Sequence, residues 1–296
     1  MKRKEDNYIN TTLKKSEDSE RIRVEKKDFK YVNFDIDKLF NKNELRDVNK
    51  YYHIYKINML IAGGSGSGKT TFIINQILNN ILTCDILLLF IPYETIYSGF
   101  YQQLLHTENF EKPILVFEIG NNNVFKSIDE AEEIMIKPKG KDQKARSNFI
   151  VKGMPNLNQL FKIKSDLKFK EPLIIFDDFV NVLTRQMWED YFRYIHNSSR
   201  LSAKICSCVQ SINKIPPQVR SSYTIVVLFT NYLTNSVIMT LLRNCVNNPM
   251  LDKKNTEYIL KIIEKDDNKH NPLIIVGGDV DQKKSIIYNN NYVTFR

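Results

Sequence analysis

Gly63-Gly64-Ser65-Gly66-Ser67-Gly68-Lys69-Thr70 satisfies every fixed position of the pattern Gly-x4-Gly-Lys-[Ser/Thr]. Such a run does one kind of chemistry. Successive backbone N–H groups wrap phosphate oxygens, and the glycines permit a close approach and positive φ angles that a Cβ would block. The Lys69 amine reaches the β- and γ-phosphates, Thr70 offers its hydroxyl to Mg²⁺, and Thr71 completes the set of residues at the nucleotide. ATP with Mg²⁺ is therefore the expected ligand. A flexible Gly/Ser turn before an ordinary helix is the competing reading.

A second group of residues would turn binding into hydrolysis. Asp177 and Asp178 directly follow the apolar run Leu173-Ile174-Ile175-Phe176. Two adjacent carboxylates ending a hydrophobic strand cost free energy unless a cation lies near. Asp177 would hold Mg²⁺ through water or the Thr70 shell. Asp178 would polarise the attacking water as general base. The alternative is an Asp-Asp turn or a helix N-cap. Gln210, polar at the end of another apolar run, would face the γ-phosphate and orient water; a surface glutamine before a turn is the plainer reading. Two arginines compete as a finger that stabilises transition-state charge. Arg200 precedes the Gln210 strand, on the opposite sheet edge from its own site, where it could reach a neighbour's nucleotide. Arg220 follows that strand, near its own site or a subunit boundary. A surface salt bridge is the alternative for each.

The elements that must position these groups are legible in the pattern. Lys56–Ala62 reads as a buried strand ending at the glycine loop, and Thr71–Leu78 has helical spacing. The helix N-terminus adds its positive dipole end to the phosphate site. Ile86–Pro92, Ile114–Glu118, Pro172–Phe176, Lys204–Gln210, Tyr223–Phe229, Pro272–Val276 and Ser285–Tyr288 read as strands. Leu157–Leu167, Met187–Leu201, Ser236–Cys245 and Thr256–Lys265 read as helices. Strands alternating with helices imply an α/β fold with a mainly parallel, helix-covered sheet, whose C-terminal edge binds the ligand. Residues 121–152 are weakly patterned and polar. They include Lys137-Pro138-Lys139-Gly140-Lys141 with Lys144 and Arg146, read as an exposed loop and as the candidate DNA-facing segment. Residues 1–30 carry ten Lys/Arg and seven Asp/Glu with few large apolar residues. They read as a mobile basic tail before a single domain over residues 31–296.

The formal charge of +9 suits a polyanionic partner. Cys84, Cys206, Cys208 and Cys245 sit mostly in apolar runs, and Cys206-Ser207-Cys208 lies on a strand, so buried thiols are favoured over a metal site. No secretion signal is seen, and an intracellular, reducing location is expected. The longest apolar run, Ile86–Pro92, has strand length, so no membrane span is expected.

The loop Gly63–Thr70, the Leu173–Asp178 run with Phe179, and Arg200…Cys208-Val209-Gln210-Ser211 with Ile215-Pro216…Arg220 together resemble the genome-packaging ATPases of large DNA viruses, virophages and polinton-type elements. These belong to the FtsK–HerA superfamily of DNA-pumping motors. The resemblance covers about residues 55–230. Asp178 stands where Glu is commoner in the wider superfamily. The resemblance implies a P-loop NTPase of the additional-strand, RecA-like class, with the Gln210 strand inserted between the loop strand and the Asp177 strand. It also implies a homo-oligomeric ring, pentamer or hexamer, translocating double-stranded DNA. A capsid portal or vertex protein is the implied partner, and the host cytoplasm, a viral factory or the virion the implied setting. The nearest rival is a helicase or segregation ATPase of the same superfamily; a non-catalytic nucleotide-bound scaffold would require Asp178 to have no chemical role. No Asn/Thr-Lys-x-Asp guanine motif and no Leu-Ser-Gly-Gly-Gln signature is present, which argues against a GTPase and an ABC ATPase.

Overall fold

The computed structural model describes residues 14–15, 22–23, 57–78, 82–96, 98, 101, 104–105, 110–120, 122–133, 148–229, 234–238, 272–276, 286–289 and 291–294. The strands β1 (Asn58–Ala62), β2 (Ile86–Pro92), β3 (Ile114–Ile119), β4 (Asn148–Lys152), β5 (Pro172–Phe176), β6 (Lys204–Val209), β7 (Ile225–Leu228), β8 (Leu273–Val276), β9 (Ile286–Asn289) and β10 (Asn291–Thr294) join one 11-stranded sheet. Its spatial order is β10-β9-β8-β7-β1-β6-β5-β2-β3-β4, closed at the far edge by the two-residue strand Glu132–Glu133. From β7 to β4 every pairing is parallel. The principal helices are α1 (Lys69–Leu78), α2 (Leu157–Asp166) and α3 (Arg185–His196).

β1, β2, β5, β6 and β7 are almost wholly apolar because both faces of the sheet are covered. Along each strand, alternate residues enter opposite layers. Met59, Ile61, Leu89, Ile175, Cys206 and Cys208 pack with Phe72, Ile73 and Ile77 of α1. Leu60, Leu88, Phe90, Phe176, Ile205 and Val209 pack with Leu160 of α2 and with Tyr191, Tyr194 and Ile195 of α3. α2 and α3 each start from a side-chain cap. Asn156 forms a reciprocal capping box with Gln159 before α2, and Thr184 accepts from the Met187 amide before α3.

Register at the functional edge is fixed by three phenylalanines. Phe90 lies opposite Phe117 on one side and Phe176 on the other, with ring centroids 4.6 Å apart in each pair. Each stacked pair contributes about 0.5–1.5 kcal/mol beyond area burial. A slip of one residue in β5 would turn Phe176 to the other layer and aim the aspartates wrongly.

Two features add to the sequence reading and one expectation needs correction. Within the weakly patterned residues 121–152, Asn148–Lys152 forms a strand that pairs in parallel with β3. Its half-buried, edge-like pattern lacks the continuous apolar run of the central strands. The sheet is mainly parallel, as expected, and ends in an antiparallel meander of β8, β9 and β10. The helix expected over Met187–Leu201 breaks at Asn197 into α3 and the turn Ser198–Leu201. The segments 137–146, 256–265 and most of 236–245 lie outside the described residues, as does most of 1–30, where Lys14–Lys15 pairs with Ile22–Arg23.

Cys206 and Cys208 behave as buried hydrophobes. Burial pushes the Cys206 thiol up to about 12 and Cys208 well above its ordinary value. Among the described residues no cluster of three or more His, Cys, Asp or Glu could hold a metal, and no helix is long and apolar enough to cross a membrane.

Candidate functional site

The glycine loop leaves β1 and is pinned at both shoulders. The Gly63 N–H donates to the Val209 carbonyl of β6 at 3.2 Å, and the Phe229 N–H, just past β7, donates to the Ala62 carbonyl at 2.9 Å. The turn from Gly64 closes through the Ser67 N–H at 3.3 Å, and α1 begins with the Phe72 N–H on the Gly68 carbonyl at 2.8 Å. Glycine is required at two points for different reasons. At Gly63 a Cβ would sit 2.6 Å from Ser67 Oγ and 2.7 Å from Phe229 Cβ. Gly68 has φ +102°, a conformation that side chains rarely tolerate. The Lys69 ammonium donates to the Gly63 and Gly64 carbonyls at 2.8 and 2.7 Å, so the cation lies over the loop. Ser67 Oγ is buried without a hydrogen-bond partner among the described residues. The opening amides of α1 have no acceptors within the helix itself. A glycine loop carrying a fixed cation and running into helix amides without acceptors fits a polyphosphate chain.

The carboxylates stand beside it. Asp177 is 1% exposed at the end of β5, next to β6 and one strand removed from β1. Its Oδ2 accepts from Thr70 Oγ1 at 2.7 Å and from Tyr101 Oη at 2.8 Å, and its Oδ1 accepts from the Asp178 N–H at 3.0 Å. Burial, and then the neighbouring Asp178 charge, push the Asp177 carboxyl above its ordinary value, against the hydrogen bonds from Thr70 and Tyr101 and the charge of Lys69. A buried carboxylate so placed, with a threonine hydroxyl on the same oxygen, is suited to a divalent cation that keeps water and phosphate ligands of its own. Thr70 and Asp177 are the residues that would hold Mg²⁺.

Asp178 differs from its neighbour in every respect. It is exposed, and its backbone is left-handed at φ 51°, ψ 19°. Left-handed non-glycine residues carry strain of order 1–2 kcal/mol, and aspartate tolerates the region better than most. Asp178 precedes the short 3₁₀ turn Phe179–Asn181 without capping it through its side chain, so the N-cap alternative is not realised. Instead its Oδ1 accepts from Gln210 Nε2 at 3.3 Å. That contact exists because β6 lies between β1 and β5, as the additional-strand class requires.

The two arginines are placed very differently. Arg220 is 7% exposed, and its guanidinium donates to the Ile215 carbonyl at 2.7 Å and the Asn213 carbonyl at 3.2 Å. It clasps its own loop, which is a structural task. Arg200 is exposed on the turn before β6, at the strand's opposite end from Gln210. Six strand residues separate the two ends, a span of ~20 Å.

Two residues at the site carry no signal in the sequence. Phe229 supports the loop from below, its ring 3.5 Å from where a Gly68 Cβ would stand and edge-on to Phe72 at 6.3 Å. Tyr101 belongs to no motif, and only the fold brings it to Asp177.

No family profile and no curated protein matches the chain. Solved structures do. The genome packaging NTPase B204 from Sulfolobus turreted icosahedral virus 2 in complex with ATP-gammaS is 12% identical, with a TM-score of 0.41 over 80% of this chain and 98% of that one. The same protein in complex with AMPPCP is 13% identical, with a TM-score of 0.45 over 80% and 99%. The DNA-packaging ATPase B204 from Sulfolobus Turreted Icosahedral Virus is 12% identical, with a TM-score of 0.45 over 79% and 97%.

Proposed function

We propose that this chain is a Mg²⁺-dependent ATPase that drives double-stranded DNA into a viral capsid as one subunit of a homo-oligomeric ring. The observation that carries the reading is the insertion of β6 between β1 and β5, which sets Gln210 on Asp178 beside the Lys69–Thr70–Asp177 group.

Each residue has a task that its placement suits. The loop amides not already bonded within the protein, with Ser65 and Gly66 exposed at the crest, bind the phosphates, and Lys69 neutralises their charge. Thr70 and Asp177 hold the cation, which when bound offsets phosphate charge. Asp178 takes a proton from water at its exposed carboxylate, and Gln210 orients that carboxylate and the water. Burial of Asp177 against exposure of Asp178 separates the two roles, one a ligand and one a base. Arg200 stands too far from its own loop to serve it, so its finger role needs an adjacent subunit. The net charge of +9 favours phosphate contacts without base reading, as a motor moving along any sequence requires.

A triplex-displacement assay tests this reading. Assembled protein with ATP should strip a third strand from duplex DNA while leaving the duplex paired. Separation of the duplex would identify a helicase instead, and no displacement with ATP turnover intact would refute translocation.

A further inference from the structure

Asp177 Oδ2 takes two donors from unrelated parts of the chain. One is Thr70, in the loop motif. The other is Tyr101, in the stretch between β2 and β3, whose hydroxyl lies 2.8 Å away. The Tyr101 ring is 1% exposed and packs in the same apolar layer as Phe72 and Ile73 of α1, Ile91 of β2 and Ile175 of β5. Four residues on, Leu105 is fully buried, and its carbonyl accepts from Asn148 Nδ2 at 3.1 Å at the start of β4. The ring is thus fixed by packing, and its stretch is tied to the sheet at a second point, so the hydroxyl is delivered from a rigid mount.

We infer that Tyr101 is a positioning residue for the divalent cation, holding the Asp177 carboxylate in the orientation at which it and Thr70 serve one ion. The inference rests on the ATPase reading above. A carboxylate at the end of a side chain can rotate about its last bond. The Asp178 amide on Oδ1 at 3.0 Å and the two hydroxyls on Oδ2 remove that freedom, and Tyr101 is the only one of these donors outside the two motifs. Outer-shell partners of this kind set cation affinity by 10–100-fold, because a misaimed ligand must be reorganised at each binding event.

The test uses the full chain and Mn²⁺, followed by electron paramagnetic resonance in the presence of ADP. Tyr101→Phe keeps the ring and deletes the donor. Its Mn²⁺ affinity should fall about 10–100-fold, while ADP binding in EDTA and the melting temperature in EDTA stay close to wild type. Unchanged Mn²⁺ affinity in Tyr101→Phe overturns the inference and leaves the ATPase reading standing. Equal loss of metal-free ADP binding also overturns it, since that marks general damage to the site. Failure of the wild-type chain to take up Mn²⁺ with nucleotide overturns both.

Discussion

The two edges of the parallel sheet use polar residues in opposite ways. At the N-terminal edge they are tied to one another. Lys204 Nζ donates to the Thr83 carbonyl at 2.5 Å and to its hydroxyl at 2.9 Å, and Lys164 donates to the Lys170 carbonyl at 3.2 Å. Asp85 accepts from the Glu171 amide at 3.1 Å and also from the Lys170 amide. These contacts staple the starts of β2, β5 and β6, while Asn58 Oδ1 and Asn148 Oδ1, at the starts of β1 and β4, are buried without a partner among the described residues. At the C-terminal edge, β5 delivers a buried carboxylate raised by its own burial and then an exposed aspartate. Left-handed backbone occurs at both edges, at Lys168 and Ser202 before β5 and β6 and at Asp178 after β5, so strain does not separate them; the buried Asp177 carboxylate beside the phosphate loop does. The arginines follow the contrast in reverse: Arg220, near the chemical edge, is a clasp, and Arg200, at the stapled edge, is exposed.

Substitutions can break or sharpen that contrast. The largest effect should come from Lys69→Ala, which removes the cation over the loop and should slow hydrolysis about 10²–10³-fold while the protein still melts cooperatively. A rate within a few-fold of wild type would remove Lys69 from the chemistry. Next is Arg220→Ala, which leaves the Ile215 and Asn213 carbonyls without their donor. Chemical denaturation should show a loss of about 1–3 kcal/mol, and no loss would mean that the clasp is idle.

A pH effect is smaller. The raised Asp177 carboxyl means that the folded chain holds this proton to higher pH than the unfolded chain, whose aspartate has its ordinary value near 3.8. In EDTA, wild type should therefore gain stability relative to Asp177→Asn as pH falls through the window between those two values. The opposite slope in paired melting curves would contradict the burial argument. The smallest stability effect should be that of Arg200→Ala, within about 0.5 kcal/mol. Its hydrolysis should nonetheless fall in assembled rings, and recover in rings mixed with Lys69→Ala subunits. A large melting shift would show that the N-terminal edge depends on it.

How much of this was legible in the sequence depended on how local each signal is. The glycine loop, Asp177 and Asp178 each sit at the end of a continuous apolar run, so their strands and edge could be read directly. The place of β6 came from the family resemblance, and the pairings with β1 and β5 bear it out. β4 was missed because an edge strand needs no unbroken apolar run, and the antiparallel meander because periodicity does not encode strand direction. Tyr101 and Phe229 could not be found at all, since their roles arise from contacts across 76 residues to Asp177 and across the loop to Gly68. Arg220 reads like an exposed cation in the chain and is revealed as a clasp only by its burial.

We propose that Asp178, aimed by Gln210, turns a phosphate-binding loop into an ATP-driven motor whose hydrolysis duplex DNA stimulates. Steady-state ATP hydrolysis by wild type and by Asp178→Asn, each with and without duplex DNA, tests this most directly. Wild type should show Mg²⁺-dependent turnover that duplex DNA accelerates. Asp178→Asn should lose about 10²–10⁴-fold in rate with ATP binding retained. Wild-type turnover indifferent to DNA, or an Asp178→Asn chain that hydrolyses ATP normally, would contradict it.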